Sequence, residues 1–457
     1  MAAPAGRRRV AAAGALTGAL WLATMCLLPL CGFPLLSHPA FRSLTIPSRV
    51  VLSGAAGAVL LSAAMTGSVL LDLHWNESLV AGAAVLLACG LRLLLGKERA
   101  QPPSAEPADR LTVAAHALSA AAVAIAYLGA RSGSATSPDL VFFWGAKAQQ
   151  FAAARTIDVT FLENAFHRYM HLYYPPFVTN VYAFATMAAG RFPWTAAVLT
   201  FPLLLAALAI GLPGLLPRRA AAAWSALAVA AIAYAGIAAD VAGNGEMPLL
   251  LLETLAVALL VSPDASRAST QLLAGILLAG AVTAKVEGLP FALAACAVFL
   301  VRARRPRAPA AARLLLPLVV CLGAWFFFGA TRRLFYGYAG EGRMLDLYPA
   351  RLATVLRLVG AALASTGYAL PWLVPLAVLP FAGRPRGAAW IPLGTAAALT
   401  GFFVFTYLHR AEDPTLWITW SAPRIFMSVA MLLVIAAASN ASGPSTPTRS
   451  RAAPSPR

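Results

Sequence analysis

An acid set among aromatic residues marks the stretch of this sequence best suited to chemistry: Ser137-Pro138-Asp139-Leu140-Val141-Phe142-Phe143-Trp144-Gly145-Ala146-Lys147. A carboxylate with apolar neighbours can have its pKa raised, which suits a general base, or it can help to hold a metal ion. The same residue serves equally well as a helix N-cap after Pro138. A second acidic point, Asp240-Val241-Ala242-Gly243-Asn244-Gly245-Glu246, puts two carboxylates in one short loop. Glu246 also opens a helix, where a negative charge favours the positive dipole end. Glu253 lies further inside the same apolar run, and an ionisable group there is costly and normally faces a polar cavity. Lys285 and Glu287, in Lys285-Val286-Glu287-Gly288, either pair with each other or face a ligand.

More charge follows at Arg332, Arg333, Arg343 and Asp346, then at His409, Arg410, Glu412, Asp413 and Arg424, with Trp417 and Trp420 between. Guanidinium groups recognise phosphate or pyrophosphate bidentately, or pair with neighbouring acids. The tryptophans read as membrane-interface anchors or as platforms for a ligand. His167 and His171 stand four apart but lack a third metal ligand nearby in sequence, so metal use stays open and a divalent cation is the one cofactor to consider. There is no Gly-rich phosphate loop, no CxxC pair and no nucleophile elbow, which argues against a nucleotide-driven pump.

The elements that must position these residues are membrane helices. Of 457 residues 60% are hydrophobic and only 11% charged, at a mean hydropathy of +0.74, more apolar surface than a soluble core absorbs. Runs such as Val50 to Leu71, Arg110 to Ala130, Trp194 to Leu216 and Ala388 to Leu408 have the length of a membrane-crossing helix, the form in which lipid leaves no backbone group unpaired. The net charge of +18 comes from short arginine clusters between apolar runs, the pattern of cytoplasmic loops, so no nucleic-acid partner is expected. Five cysteines, an odd number within apolar stretches, argue against a disulfide framework. The basic start and unbroken apolar run favour a first spanning helix over a cleaved signal peptide.

The expected fold is all-α: a polytopic membrane protein of about eleven to thirteen transmembrane helices, with a long outer loop carrying short surface helices. Residues 1–109 form N-terminal helices, 110–438 the core with its outer loop at 131–192, and 439–457 a disordered cytoplasmic tail. Placing the clusters at Arg218, Arg302 to Arg307, Arg384 and the C-terminus inside puts 131–192, 240–246, 332–365 and 409–421 together on the outer face. Putting Lys97, Glu98 and Arg99 inside leaves Arg7 to Arg9 outside unless the first helix is re-entrant. Phe177 to Gly190 is expected to lie along the outer membrane surface as an amphipathic element.

This order of motifs resembles the GT-C superfamily of membrane glycosyltransferases, especially the bacterial branch similar to dolichyl-phosphate-mannose protein mannosyltransferases and lipopolysaccharide-core galacturonosyltransferases, over roughly residues 110 to 435. In that family the first outer loop carries a catalytic acid, which maps onto Asp139. Trp144 and Lys147 match a following Trp-x-x-Lys-Ala pattern, His171 to Pro176, with Tyr174, match His-x-x-Tyr-Pro-Pro, and Asp240 matches the second-loop acid. Lys285 to Gly288 match Lys-x-Glu-Gly, and Trp417 to Arg424, through Ser421, match Trp-x-x-x-Ser-x-x-Arg. Tyr173 stands where Asp is common, and the second acid many relatives carry beside Asp139 is missing.

The resemblance implies sugar transfer from a polyprenyl-phosphate donor to a lipid, glycan or protein acceptor at the periplasmic face of a bacterial cytoplasmic membrane. Asp139 and Asp240 would be catalytic. Trp144, Lys147, His171, Tyr174, Glu246, Lys285, Glu287, Arg343, Trp417 and Arg424 would bind substrate, with Lys147, His171, Arg343 and Arg424 meeting the lipid phosphate. The alternatives are a transporter or flippase for a lipid-linked or anionic substrate, with Glu253, Lys285 and Glu287 as coupling residues, and a non-catalytic scaffold of the same fold.

Overall fold

A computed structural model describes residues 5–100, 110–132, 137–170, 174–216, 221–302, 307–334, 347–365, 368–378, 385, 387–409 and 413–441. Among them every regular element is helical, and nine helices are long and apolar enough to cross a membrane: this is an all-α polytopic membrane protein. The first four are α1 (Ala5–Leu36), α2 (Ile46–Leu70), α3 (Glu77–Leu94) and α4 (Arg110–Ser132). Then come α5 (Gly145–Ala154), α6 (Val159–Glu163) and α7 (Phe177–Ala189) inside the long loop. The rest of the bundle is α8 (Trp194–Ala197), α9 (Thr200–Gly211), α10 (Ala221–Ala238), α11 (Glu246–Val261), α12 (Ala268–Ala284), α13 (Gly288–Arg302) and α14 (Arg307–Thr331). It closes with α15 (Leu352–Ala364), α16 (Leu370–Val378), α17 (Trp390–Leu408), α18 (Pro414–Ile425) and α19 (Met427–Ala441).

Three further helices, α11, α12 and α13, are shorter than a bilayer is thick. At 1.5 Å per residue α11 is about 24 Å long, and every one of its residues is buried. A helix enclosed by others need not reach both lipid interfaces, because its ends meet protein. With α12 and α13 it brings the spanning set into the expected range.

Two groups of contacts define the faces of the bundle. On one, Trp75 donates its N–H to the Arg155 carbonyl at 2.7 Å and Arg155 pairs with Glu77 at 2.9 Å, joining the α2–α3 turn to the long loop. On the other, Ala100 bonds Pro39 at 3.1 Å and Arg267 reaches the Arg99 carbonyl at 3.1 Å. Helix α1 runs unbroken between them: Arg191, beyond α7, donates to Thr17 at 3.3 Å, whereas His38, just past α1, reaches the Gly96 carbonyl at 3.1 Å. The re-entrant alternative is therefore overturned, and the N-terminal end of α1 lies on the face of the long loop. Proline at 29 and 34 does not break it, since neighbouring helices supply packing.

Helix α7 is a second correction. It is not a surface element: nearly all of it is buried against α1, α2 and α5. The Asn180 amide donates to the Ser62 and Thr66 hydroxyls at 3.2 Å each, and Trp21 donates to Thr186 at 3.3 Å. Buried hydroxyls on α2 offered partners that an amphipathic reading of the segment did not include. Helix α19 continues to Ala441, past the expected boundary at 438, and the remainder of the tail lies outside the described residues.

Candidate functional site

The loop that delivers Asp139 begins with Ser137, whose hydroxyl donates to the Asn244 side chain at 2.6 Å. That bond clamps the first acidic motif onto the second. Residues Leu140–Trp144 form one π-helical turn, a wide turn frequent at functional sites. Asp139 already has helical backbone angles, and its carboxylate caps nothing, so the N-cap alternative is set aside.

Its carboxylate is held instead by Arg424 of α18, 285 residues away, at 2.7 Å. The same guanidinium nitrogen lies 3.1 Å from Glu246, at the first turn of α11. Lys285, where α12 ends in extended backbone, donates to Glu246 at 3.0 Å and lies 3.6 Å from Glu287. Three acids and two bases from four separate stretches thus form one ionic cluster around a cavity of about 10 Å³, roughly one water molecule in size. Arg343 and His171, expected nearby, lie outside the described residues.

The 240–246 loop is shaped to meet the first motif. Asp240 has φ of 51°, a left-handed conformation costly for a side-chain-bearing residue, and Gly243 has φ of 78°. A Cβ on Gly243 would lie 2.7 Å from Leu140, and one on Gly245 would lie 2.7 Å from the Trp144 ring. Tyr182 of α7 donates to the Gly243 carbonyl at 3.1 Å. Asp240 itself stays half-buried at the rim, outside the ion pairs. Burial raises its pKa, and the charge of Arg424 opposes that.

Burial also raises the pKa of Asp139, helped by the charge of Glu246 and opposed by Arg424 and Lys285. Burial alone would lower the Lys285 pKa, but Glu246 and Glu287 outweigh it and hold its ammonium charged. Lys147 has no carboxylate partner among its described contacts: burial pushes it down to about 7, and its Nζ donates to the Met170 carbonyl at 3.0 Å. It also sits 5.1 Å from the centre of the Trp144 ring, on which Tyr174 stacks at 6.0 Å. Trp144 is fully buried and backs the half-buried Tyr174 ring, and this aromatic pair joins the cluster through Gly245, whose Cβ position is also 3.2 Å from Lys285.

Trp417 is half-buried beside Trp420, with ring centres 6.3 Å apart, and Trp420 lies 5.1 Å from the Arg424 guanidinium carbon. Trp420 therefore meets the cluster. Arg332 pairs with Asp72 at 2.6 Å, which gives that outward arginine a local reason. His167 turns its Nδ1 to the Phe161 carbonyl at 2.7 Å, and no group of three histidine, cysteine or acidic side chains lies close enough to hold a metal among the described residues. Glu253, buried beneath the cluster, accepts a short hydrogen bond from Ser428 of α19.

Ser428 and Tyr182 had no signal in the sequence beyond being polar within apolar surroundings, and Asn244 had only its place in the second acidic loop. Three atoms of the cluster have no hydrogen-bond partner among the described residues: Glu246 Oε2, Glu287 Oε2 and Arg424 Nε. Orphaned buried groups of this kind need a water, ion or ligand to satisfy them. Comparison with protein-family models, with curated proteins and with solved structures found no match to this chain.

Proposed function

We propose that this chain is a glycosyltransferase that moves a sugar from a polyprenyl-phosphate donor to a hydroxyl of a lipid, glycan or protein acceptor. The face carrying the ionic cluster would be the outer, periplasmic face of a bacterial cytoplasmic membrane. The observation that carries this reading is the Asp139–Arg424 pair, an acid of raised pKa beside a guanidinium with a donor to spare.

In the transfer, the acceptor oxygen attacks the anomeric carbon and its proton passes to Asp139. The anomeric carbon–oxygen bond to phosphate breaks, and polyprenyl phosphate leaves with the electron pair. A buried acid with a raised pKa is a stronger base than an ordinary carboxylate, which is the property the step uses. Arg424 Nε and the charged Lys285 would stabilise the leaving phosphate, the electrostatic part of the catalysis. The half-buried Tyr174 ring, backed by the buried Trp144, is suited to the apolar face of a sugar ring.

Glu253 favours the second reading, transport, because a buried acid within a membrane helix is the usual mark of an ion pathway. One assay separates the two. Purified wild type, Asp139→Asn and Asp240→Asn are each given radiolabelled polyprenyl-phosphate sugars and membrane extract. Transfer by wild type that Asp139→Asn abolishes supports the enzyme; no transfer from any donor by folded wild type sinks it.

A further inference from the structure

A groove of about 700 Å³ opens between α2, α3 and α14, with α12 at its back. The volume lies in the range of ligand-binding sites. Its walls are mostly apolar: Leu87 and Leu91 of α3, Val59 of α2, and Val320 and Trp325 of α14. Along α3 it runs from Ala83 to Leu94, about 17 Å of helix. The polar lining is Ser62, Thr66 and Thr283, and two of its margins lead to the site. Thr283 precedes Lys285 by two residues, and Pro176 follows Tyr174 by two.

We propose that this groove seats the isoprenoid tail of the lipid-linked donor, with the phosphate turned toward Lys285 and the Tyr174 ring. This rests on the reading given above. Three features point to that occupant. The groove lies between membrane-spanning helices, so a hydrocarbon chain can enter it sideways from the bilayer. Its wall is interrupted by small residues, Ala63, Gly67, Ala83 and Gly90, which leave width for methyl branches. It is continuous at Thr283 and Pro176 with the segments that carry the candidate site. Helices α2 and α3 precede residue 110, so this wall comes from outside the stretch that resembles glycosyltransferases.

Gly67 and Gly90 make the test direct. A Cβ at either position would meet nothing within 4 Å, so a leucine can be built into the groove without a clash. Gly82, also on α3 with open space beside it but not lining the groove, is the control for Gly→Leu itself. Undecaprenyl phosphate is titrated into each purified, monodisperse variant and bound lipid is counted by native mass spectrometry. Transfer is measured in parallel with a long-chain donor and with a donor truncated to two isoprene units.

Gly67→Leu and Gly90→Leu are expected to lose lipid retention and to raise KM for the long-chain donor at least tenfold. Gly82→Leu and the short-chain reaction should stay as in wild type. Equal retention by the groove variants and wild type overturns the groove assignment, whether or not transfer occurs. Retention lost in the groove variants with no transfer by wild type supports the groove and instead removes the transferase reading.

Discussion

Replacing Arg424 tests the site most sharply, because one guanidinium nitrogen serves two carboxylates. Arg424→Gln keeps a neutral donor on a shorter side chain and removes the charge between Asp139 at 2.7 Å and Glu246 at 3.1 Å. Glu246 still has Lys285 at 3.0 Å, whereas Asp139 loses its direct partner and stays buried. Breaking a buried ion pair from one side costs about 3–5 kcal/mol, against a total stability of about 5–15 kcal/mol for a typical protein. Asp139→Asn in the same background removes the stranded charge and should restore part of that loss.

The assay is a double-mutant cycle on purified protein in detergent, read as the rate of irreversible thermal inactivation, since a membrane protein of this size is best ranked kinetically. A coupling of about 1–3 kcal/mol between positions 139 and 424 is expected for residues in contact. Additivity of the two single variants within about 0.5 kcal/mol would refute the pair, and with it the assignment of Asp139 to the cluster. Arg424→Lys is a finer probe: an ammonium lacks the planar fork, so it should hold one of the two carboxylates and recover part of the coupling.

Further outcomes follow from the same geometry. Lys285→Met should destabilise by about 3 kcal/mol or more, because the buried Glu246 is left with Arg424 alone and the half-buried Glu287 loses its partner; Lys285→Met with Glu246→Gln should be milder, as inactivation rates will show. Lys147 carries a folded pKa of about 7 against its ordinary 10.5. The unfolded chain therefore binds the extra proton between those values, so stability should rise with pH from about 7 to about 10, by at most about 5 kcal/mol at about 1.4 per pH unit. Lys147→Met should flatten that slope in melts taken across the range. Asp240→Gly should relieve the left-handed strain, stabilising by about 1 kcal/mol while lowering transfer, a split between melting and activity that a purely structural Asp240 would not give. A Cβ at Gly288 would meet the Ala281 carbonyl oxygen at 2.1 Å, so Gly288→Ala should open the α12–α13 hairpin and reduce both folded yield and lipid retention.

The membrane fold was legible because a bilayer imposes a strong and local requirement: long apolar runs, each satisfying its own backbone, with arginine clusters between them. Asp139, Glu246, Lys285, Glu287 and Arg424 were legible as candidates for the same reason, being charges at the ends of apolar helices. Their pairing was not. Arg424 and Asp139 are 285 positions apart, and no local pattern distinguishes a partner for Asp139 from the N-cap role that its neighbour Pro138 suggested. Tertiary packing also decided what periodicity misjudged: α7 is buried because Ser62 and Thr66 of α2 accept Asn180, and α1 is a full traverse because its two ends meet opposite faces. The groove belongs wholly to that level, since its walls come from four helices and its width from glycines whose significance lies in the space beside them. Hydropathy, a property of single segments, is written along the chain, whereas the distance between two buried charges depends on how all the segments pack.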